Sequence, residues 1–325
     1  MGYQVTFVLF LADGRCAAIP DHDGGLHLPS GEVAPGEHWL LDTCLRVPLE
    51  TAGFRMQRAR LFKEDGDNRY VWLEGDRYTG RRPHATVELI ADAPAAIAAR
   101  LRDEEARLVL DAAASFANET EDDFYAGQVE LLEAAYLRGA TPEQGSGFGG
   151  GPDEWRALRS MIVDGIDRDG TFLDLGCANG LLMESVRAWA AERGRTVEPY
   201  GVDLSPGLVA LARARLPRWA DRIEVGNAID YRPTDGRRFT YVHVLLDCVP
   251  AGRRADLLRH ALTSLVEPGG RLLVSFYQAL GGSEPCAAAH VRGLGFDVEG
   301  EARAAGAPGE GPDGLGCPAS TAWLS

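Results

Sequence analysis

The sequence predicts an α/β protein with two parts: a smaller N-terminal α+β domain and a C-terminal doubly wound sheet of mainly parallel strands. From residue 171 onward, short apolar runs alternate with helical patterns, which is typical of a parallel sheet covered by helices on both faces. The first 92 residues instead contain several β-rich runs around one amphipathic helix. The chain has 325 residues, a length that suits two domains.

Composition limits the partners that the chain can bind. The 48 acidic residues outnumber the 33 basic ones, which gives a net charge of -15. A body this acidic repels phosphate backbones, so we expect a small-molecule substrate and no nucleic-acid partner. Four arginines between residues 213 and 222 are expected to form a solvated helix face.

The cysteines and the first residues indicate where the protein resides. The 6 cysteines show no metal-ligand spacing, so we expect reduced thiols and no structural metal. The first residues carry no basic leader, and their apolar run is too short to cross a membrane. We therefore expect a cytoplasmic protein without a membrane partner.

The N-terminal domain, residues 1–115, is predicted to combine β-strands with an amphipathic helix and a trailing helix. Its strands are expected at 3–11, 16–20, 54–62, 70–73 and 86–91. The amphipathic helix is expected at 37–51 and ends before Gly53, a residue suited to a helix C-terminus. The composition of residues 92–116 is strongly helical and predicts the trailing helix.

The stretch LPSGEVAPGE and the helix that follows it resemble the Nudix fold. That resemblance implies a helix whose carboxylates bind Mg²⁺ and so activate water at a diphosphate. With one extra residue allowed, the positions that match are Gly31, Glu37, Arg46, Glu50 and Gly53.

Other positions of the same helix depart from the Nudix pattern. Val47 and Thr51 stand where glutamates are usual, and Pro48 removes a helical hydrogen bond. Glu50 alone cannot hold a metal cluster, so we expect a Nudix-like domain that no longer hydrolyses diphosphates. The alternatives are a packing or dimerisation module, a binder of a nucleotide-like group, and an active hydrolase.

Residues 116–170 are predicted to form a helical cap and a glycine-rich lid. A helix with one apolar face is expected at 121–137, and a glycine-rich stretch with Phe148 at its centre follows. The next helix begins at Pro152 and carries Trp155 on its apolar face. A glycine-rich flap with one aromatic residue suits a lid over a small-molecule site, and a slack linker is the alternative. Phe148 and Trp155 are the candidates for substrate or lid contacts.

Residues 171–325 are predicted to alternate strands with helices. The strands are expected at 171–175, 198–203, 222–225, 241–246, 271–277, 296–302 and 321–324. The helices are expected at 180–193, 206–216, 255–265 and 285–293. In an open α/β sheet of this kind, a nucleoside-type ligand binds at the carboxyl ends of the strands.

The stretch LDLGCANG joins the first of these strands to a helix through a tight turn. Glycines allow positive φ angles and let a ligand approach the backbone closely. A dinucleotide fingerprint would need glycines where Ala178 and Leu181 stand, so a dinucleotide is not expected. Asp203 ends the second strand, where an acid accepts hydrogen bonds from ribose hydroxyls, and Asn227 follows the third strand.

Together with YGVDLSP, GNA and LVEPGGRLLVS, this stretch resembles the class I S-adenosylmethionine-dependent methyltransferases, which have a Rossmann-like fold. The resemblance runs from about residue 120 to residue 325. It implies S-adenosylmethionine as the cofactor and a sheet that ends in an antiparallel pair of strands. The cofactor-binding residues that it implies are Asp174, Gly176, Cys177, Ala178, Gly180, Asp203, Leu204, Asn227 and Ala228. Ala178 and Asn227 depart from the family, which usually has Gly and Asp there.

Methyl transfer needs a general base only when the acceptor must lose a proton. Three residues near the ends of the fourth and fifth strands are candidates: Asp247, His243 and Tyr277. His243 lies inside an apolar strand, so a hydrogen-bonded core histidine is the alternative. Asp247 could instead cap the helix that begins near Ala251.

We therefore expect an enzyme that methylates a small-molecule acceptor and carries a non-hydrolytic Nudix-like domain. One alternative is an RNA or nucleotide methyltransferase whose first domain binds the nucleotide part. A second is a regulatory protein that binds S-adenosylmethionine without catalysis. A third is an active Nudix hydrolase fused to a methyltransferase.

Overall fold

The computed structural model describes residues 3–11, 13–35, 41–77, 89–277, 286–304 and 319–325. The chain divides into two compact units, Met1–Ala134 and Ala135–Ser325. Parts of three predicted elements, residues 37–40, 86–88 and 285, lie outside the described residues. Within the described residues, none of the helices combines the length and the apolar content that a membrane span requires.

A mixed sheet forms the centre of the first unit. Its strands in the described residues are β1 (Gln4–Leu11), β2 (Cys16–Pro20), β3 (Leu26–His27), β4 (Ser30–Glu32), β5 (Phe54–Asp65), β6 (Asn68–Arg77) and β7 (Ile90–Asp92). Their order is β3-β2-β1-β6-β5, with β4 paired to β1 and β7 paired to β2. β1 runs parallel to β6, whereas the other pairs are antiparallel.

Helices cover both faces of this sheet. The first three are α1 (Leu41–Ala52), α2 (Pro94–Ala98) and α3 (Asp103–Ala117), and α4 (Glu121–Tyr136) follows them. Cys44 of α1 packs with Phe7 of β1 on one face, whereas Leu108 of α3 packs with Phe10 on the other. Because successive side chains of a strand point to opposite faces, β1 contributes to both cores.

The helix predicted over residues 92–116 is interrupted in the structure. α2 ends at Ala98, and the amides of Arg100 and Leu101 donate to carbonyls only three residues back, which closes the helix in a tight turn. The side chain of Leu101 packs against the same core as Leu108. Leu101 therefore reaches this core from a turn between two helices, which composition alone does not predict.

The departures from the Nudix pattern lie where α1 meets β4. Val47 is buried, and a Cβ added to Gly31 would lie 2.8 Å from the Val47 side chain. Position 47 therefore faces an apolar core, where an ionised carboxylate is strongly disfavoured. Pro48 lies inside the helix, as predicted.

Two acids match the Nudix pattern, and the structure describes one of them, Glu50. Glu50 pairs with Arg46 across one helical turn, with Oε2 and Nη1 3.4 Å apart. Glu37 lies outside the described residues. Among the residues that the structure describes, no three His, Cys, Asp or Glu side chains are grouped so that they could hold a metal ion. Membership of the first unit in the Nudix fold stays a prediction.

The second unit contains the doubly wound sheet. Its strands in the described residues are β8 (Gly170–Leu175), β9 (Val197–Asp203), β10 (Ile223–Val225), β11 (Phe239–Leu245), β12 (Val266–Tyr277), β13 (Gly300–Arg303) and β14 (Ala319–Leu324). The order is β10-β9-β8-β11-β12-β14-β13. The first five of these strands are parallel, and β14 is antiparallel to both β12 and β13. The structure confirms the predicted parallel sheet and its closing antiparallel pair.

Helices also pack on both faces of the second sheet. They are α5 (Pro152–Arg159), α6 (Leu181–Glu192), α7 (Pro206–Arg215), α8 (Arg254–His260) and α9 (Ala287–Gly293). Phe172 and Tyr241 pack with Val186 of α6 on one face. Leu173 packs with Leu257 of α8 on the other face. The two-residue period of the strands therefore places the side chains of β8 alternately under α6 and under α8.

Candidate functional site

The turn after β8 uses three residues in the left-handed region of the backbone. Gly176, Ala178 and Gly180 have φ angles of 84°, 47° and 77°. Ala178 is the single residue other than glycine with a positive φ among the described residues, a conformation that costs about 1–2 kcal/mol. A Cβ added to Gly176 would lie 2.9 Å from Cys248 Sγ. Such strain persists only where surrounding contacts hold the backbone, as they do at many functional sites.

Asp203 at the end of β9 holds this turn. Its Oδ2 accepts a hydrogen bond from the Ala178 amide at 2.8 Å, and its Oδ1 accepts one from the Ser205 amide at 2.9 Å. Its carbonyl accepts a third from the Gly226 amide at 3.0 Å. One residue thus fixes the loops after β8, β9 and β10 at the same edge of the sheet.

A chain of buried polar side chains crosses the sheet behind this edge. Asp174 Oδ1 lies 2.8 Å from His243 Nδ1, and His243 Nε2 lies 2.9 Å from Ser275 Oγ. Ser275 Oγ lies 2.7 Å from Thr321 Oγ1. His243 is 2% exposed. Because both ring nitrogens are engaged and the ring is shielded, the structure favours a hydrogen-bonded core histidine over the general base predicted at His243.

Asp247 is the acid that reaches solvent at this edge. It lies on the 3-10 turn Leu246–Cys248, directly after β11, and its side chain is exposed. Burial beneath the surrounding protein nevertheless raises the pKa of Asp247 above its ordinary value of 3.8. Partial removal of a carboxylate from water disfavours its charged form and so raises its pKa. The 3-10 turn Ala251–Arg253 and α8, which follows it, both begin without a side-chain cap, so the alternative capping role of Asp247 is not observed.

Two tyrosines stand near Asp247 and keep their protons at neutral pH. Burial, with smaller contributions from Asp174 and Asp247, raises the pKa of Tyr277 to about 12. Burial and the charges of Asp247 and Asp203 also raise the pKa of Tyr136. Both phenols can donate hydrogen bonds, but neither accepts a proton readily. A raised pKa favours Tyr277 as a hydrogen-bond donor, and its role as a general base stays a prediction.

We call this edge the strand-end site. Its charged and phenolic members come from the ends of four strands and from two helices: Asp174, Asp203, Asp247, Tyr136, Arg159 and Tyr277. All of them belong to the second unit. The group combines three acids, two protonated phenols and one cation.

The other residues predicted to bind the cofactor differ in access. Leu204 and Asn227 are partly exposed after β9 and β10, whereas Cys177 and Ala228 are buried. The thiol of Cys177 packs in the core between α6 and α7, so only its backbone remains for a ligand contact. Asn227 Oδ1 accepts a hydrogen bond from the Ile229 amide at 3.3 Å. That bond orients the Asn227 side chain at the strand edge.

Asn179 fixes the glycine-rich segment, residues 141–151, to the turn after β8. It is 2% exposed, and its Nδ2 donates to the Pro142 carbonyl at 2.7 Å. Its Oδ1 accepts a hydrogen bond from Ser146 Oγ at 2.5 Å. A Cβ added to Gly145 would lie 2.7 Å from Asn179 Nδ2. The segment is packed rather than slack, and its role as a lid stays a prediction.

Phe148 and Trp155 contact each other edge to face, and both rings also contact the guanidinium of Arg159. Their rings are 5.7 Å apart and meet at 65°. The guanidinium carbon of Arg159 lies 4.5 Å from the Phe148 ring and 4.0 Å from the Trp155 ring. Trp155 is buried, and its Nε1 donates to Ser185 Oγ at 3.0 Å. Trp155 is therefore a core anchor, while the partly exposed Phe148 keeps access to the site.

The sequence patterns missed Asn179, Arg159 and Tyr136. Asn179 lies within LDLGCANG, but nothing in that stretch shows that its side chain reaches a distant segment. Arg159 follows Trp155 by four positions, which places both on one helix face and is a weak signal. Tyr136 ends α4 and belongs to no motif.

No protein-family model matches the sequence, and no match is found among curated proteins. Solved structures do match. A SAM-dependent methyltransferase from Thiobacillus denitrificans, in complex with S-adenosyl-L-homocysteine, is 21% identical over 45% of this chain and 66% of that chain, with a TM-score of 0.31. Another from Geobacter sulfurreducens, with the same ligand, is 21% identical over 44% and 65%, with a TM-score of 0.30.

A third solved structure is the glycopeptide N-methyltransferase MtfA. It is 20% identical over 52% of this chain and 88% of that chain, with a TM-score of 0.37. The matches to the two bacterial enzymes above span less than two thirds of their lengths. At this level of similarity the three proteins show what the chain resembles and do not define its activity.

Proposed function

We propose that the second unit binds S-adenosylmethionine at the strand-end site and transfers its methyl group to a small molecule. The observation that carries the proposal is the strained turn at Gly176, Ala178 and Gly180, held to Asp203 at the carboxyl edge of a doubly wound sheet. β8 lies where the strand order reverses, between β9 and β11. Ligands of open α/β sheets bind at that point.

The residues at this edge suit a nucleoside-type cofactor. A carboxylate has about four acceptor positions, so Asp203 can hold the turn and still accept hydrogen bonds from ribose hydroxyls. Asn227 offers a donor and an acceptor to the edge of an adenine. The missing side chain at Gly176 leaves the cradle beside Cys248 open. When bound, S-adenosylmethionine supplies an electrophilic methyl group on a sulfonium.

The chain's own residues then have to orient the acceptor, exclude water and take up a proton where the acceptor carries one. Asp247 is the base in this proposal because it is accessible and because its raised pKa brings its basicity closer to neutral pH. Tyr136 and Tyr277 donate hydrogen bonds from protonated phenols. The segment held by Asn179 shields the site from bulk water.

Binding and transfer can be measured separately on the full chain. Calorimetry with S-adenosylmethionine tests the cofactor, and we expect one site. Incubation with methyl-labelled S-adenosylmethionine and a metabolite extract tests transfer, and we expect label in a small molecule. The absence of binding would refute the proposal. Binding without transfer to any compound would favour the regulatory alternative.

We further propose that the first unit is a non-hydrolytic Nudix-like accessory domain. The buried Val47 against Gly31 supports this proposal, because the position of a metal-binding glutamate is part of the core. The RNA or nucleotide methyltransferase is the weaker alternative, since a net charge of -15 opposes binding of a polyanion.

A further inference from the structure

The guanidinium of Arg159 is enclosed by aromatic rings. Its carbon lies 4.5 Å from the Phe148 ring, 4.0 Å from the Trp155 ring and 4.4 Å from the Tyr277 ring. Its Nη1 is inaccessible to solvent and has no hydrogen-bond partner in the described part of the chain. The titratable groups nearest to it are the neutral phenols of Tyr277 and Tyr136, and burial lowers the pKa of Arg159. Arginine nevertheless stays protonated, since its ordinary pKa is above about 12.

A charge in this setting is costly without an anion. Stacking on rings compensates part of the lost hydration, but a half-buried guanidinium normally also pairs with a carboxylate or phosphate. Arg156, one helical turn earlier, shows the ordinary case because it is exposed and pairs with Glu192. Both arginines lie on α5, but their surroundings differ. The difference indicates that Arg159 binds an anionic partner that none of the described residues provides.

The position of Arg159 distinguishes between the two ligands of the proposed reaction. Arg159 stacks on Tyr277, which ends β12, whereas the cofactor turn and Asp203 follow β8 and β9. β11 lies between β8 and β12, so the two positions are separated by two strand spacings, about 10 Å. S-adenosylmethionine also carries a carboxylate, and this separation favours the acceptor's carboxylate over that of the cofactor as the anion at Arg159.

We propose that Arg159 binds a carboxylate of the methyl acceptor, so that the acceptor is a small organic acid. This inference rests on the proposed methyl transfer and adds the substrate class. A planar guanidinium can bind a carboxylate with two parallel hydrogen bonds while its face stays stacked on a ring. Asp174, Asp203 and Asp247 repel the same carboxylate, which orients the acceptor with its acid toward β12 and its reacting atom toward Asp247.

The test uses the full chain, methyl-labelled S-adenosylmethionine and a metabolite extract that is split by anion exchange into a retained acidic fraction and an unretained fraction. We expect label to enter a compound of the acidic fraction. With that compound as acceptor, Arg159→Gln should raise KM about tenfold or more, while the Kd for S-adenosylmethionine stays within about twofold of the wild-type value. Arg159→Lys keeps the charge without the planar fork, so we expect an intermediate KM.

Arg156→Gln is the matched control because it places the same side chain on the exposed side of α5, and its KM should not change. Circular dichroism and thermal melting verify that each variant is folded, and Arg159→Lys keeps the test decisive if Arg159→Gln unfolds.

Label only in the unretained fraction, or an unchanged KM in both Arg159 variants, would overturn the inference while leaving methyl transfer intact. A large rise in the cofactor Kd would assign Arg159 to the cofactor and also overturn it. Failure of cofactor binding in the wild-type chain would instead refute the proposed function itself, and this inference with it.

Discussion

Three carboxylates end neighbouring strands of the second sheet, and the surroundings of each decide what it can do. Asp174 is buried and bonded to His243. Asp203 accepts hydrogen bonds from two backbone amides and so shapes the turn. The side chain of Asp247 is exposed. The protein around it nevertheless removes part of the water near its carboxylate, and this desolvation raises its pKa. The same residue type therefore serves the core, the cofactor loop and the proposed proton transfer.

Replacing Asp203 by alanine should weaken binding of S-adenosylmethionine at least about tenfold, or about 1.4 kcal/mol. The carboxylate contributes the proposed ribose contact and also anchors the Ala178 amide. Calorimetry measures the Kd. Asp256→Ala, which removes an exposed carboxylate of α8, is the control and should have no effect. An unchanged Kd for Asp203→Ala would contradict the assignment of the site.

Replacing Asp247 by asparagine should lower the rate of methyl transfer about 100-fold for an acceptor that must lose a proton. It should also raise the melting temperature near neutral pH. Because the folded-state pKa is raised, the folded chain binds this proton more tightly than the unfolded chain does, and ionisation destabilises the fold.

The pH dependence of that effect has a definite sign. The stability gain of Asp247→Asn is fully present above the folded-state pKa of Asp247, and it disappears as pH falls toward the ordinary value of 3.8. Calorimetric melting of both chains over this range measures the difference. A lower melting temperature of the variant near neutral pH would show that the carboxylate stabilises the fold.

At the scale of elements, periodic patterns predicted the strands and helices of the second unit well. β8 and β9 begin one residue before the predicted ranges, 171–175 and 198–203. Two strands differ more: β12 begins at Val266 instead of residue 271, and β13 begins at Gly300 instead of residue 296. Phe296 and Val298 are apolar because they pack against the core beside α9, and a strand of that length would produce the same pattern.

The connection between the glycine-rich segment and the cofactor turn gives a prediction at this scale. Asn179→Ala removes two bonds to the segment, at the Pro142 carbonyl and at Ser146, and also the bond that the Leu181 amide donates at 3.0 Å, each of about 1 kcal/mol. We expect the amides of residues 141–151 to exchange hydrogen roughly tenfold faster. Hydrogen-exchange mass spectrometry measures this rate. Ser146→Ala removes one of the two bonds and should have a smaller effect, and equal protection in all three chains would show that Asn179 does not hold the segment.

At the scale of the whole molecule, the basic cluster of the acidic chain combines exposed arginines with arginines that pair within the second unit. Arg213 donates to the Ile223 carbonyl, and Arg222 pairs with Glu198. Arg215 pairs with Glu184 and also donates to the Asn179 carbonyl next to the cofactor turn. Arg213 and Arg218 are exposed, as the predicted solvated face requires, whereas Arg215 and Arg222 pair with acids of the second unit.

The full chain with Mg²⁺ or Mn²⁺ should not hydrolyse ADP-ribose, NADH or dinucleoside polyphosphates. Glu50 pairs with Arg46, and the neighbouring Val47 faces the core, so α1 offers too few oxygen ligands for the metal cluster that this chemistry needs. Chromatography of the nucleotide products measures hydrolysis. Metal-dependent turnover that Glu50→Gln abolishes would contradict this prediction.

The sequence by itself determined the features that depend on neighbouring residues. The two-residue and 3.6-residue periods predicted the parallel sheet, and the glycines of LDLGCANG predicted a tight turn at its carboxyl edge. Only the tertiary structure decided the contacts of residues far apart in the chain: His243 with Ser275, Arg159 with Tyr277, and Asn179 with Pro142. Periodicity reports which face of an element a side chain occupies. It does not report which distant element covers that face, and the covering element decides whether a histidine is a base or a core residue.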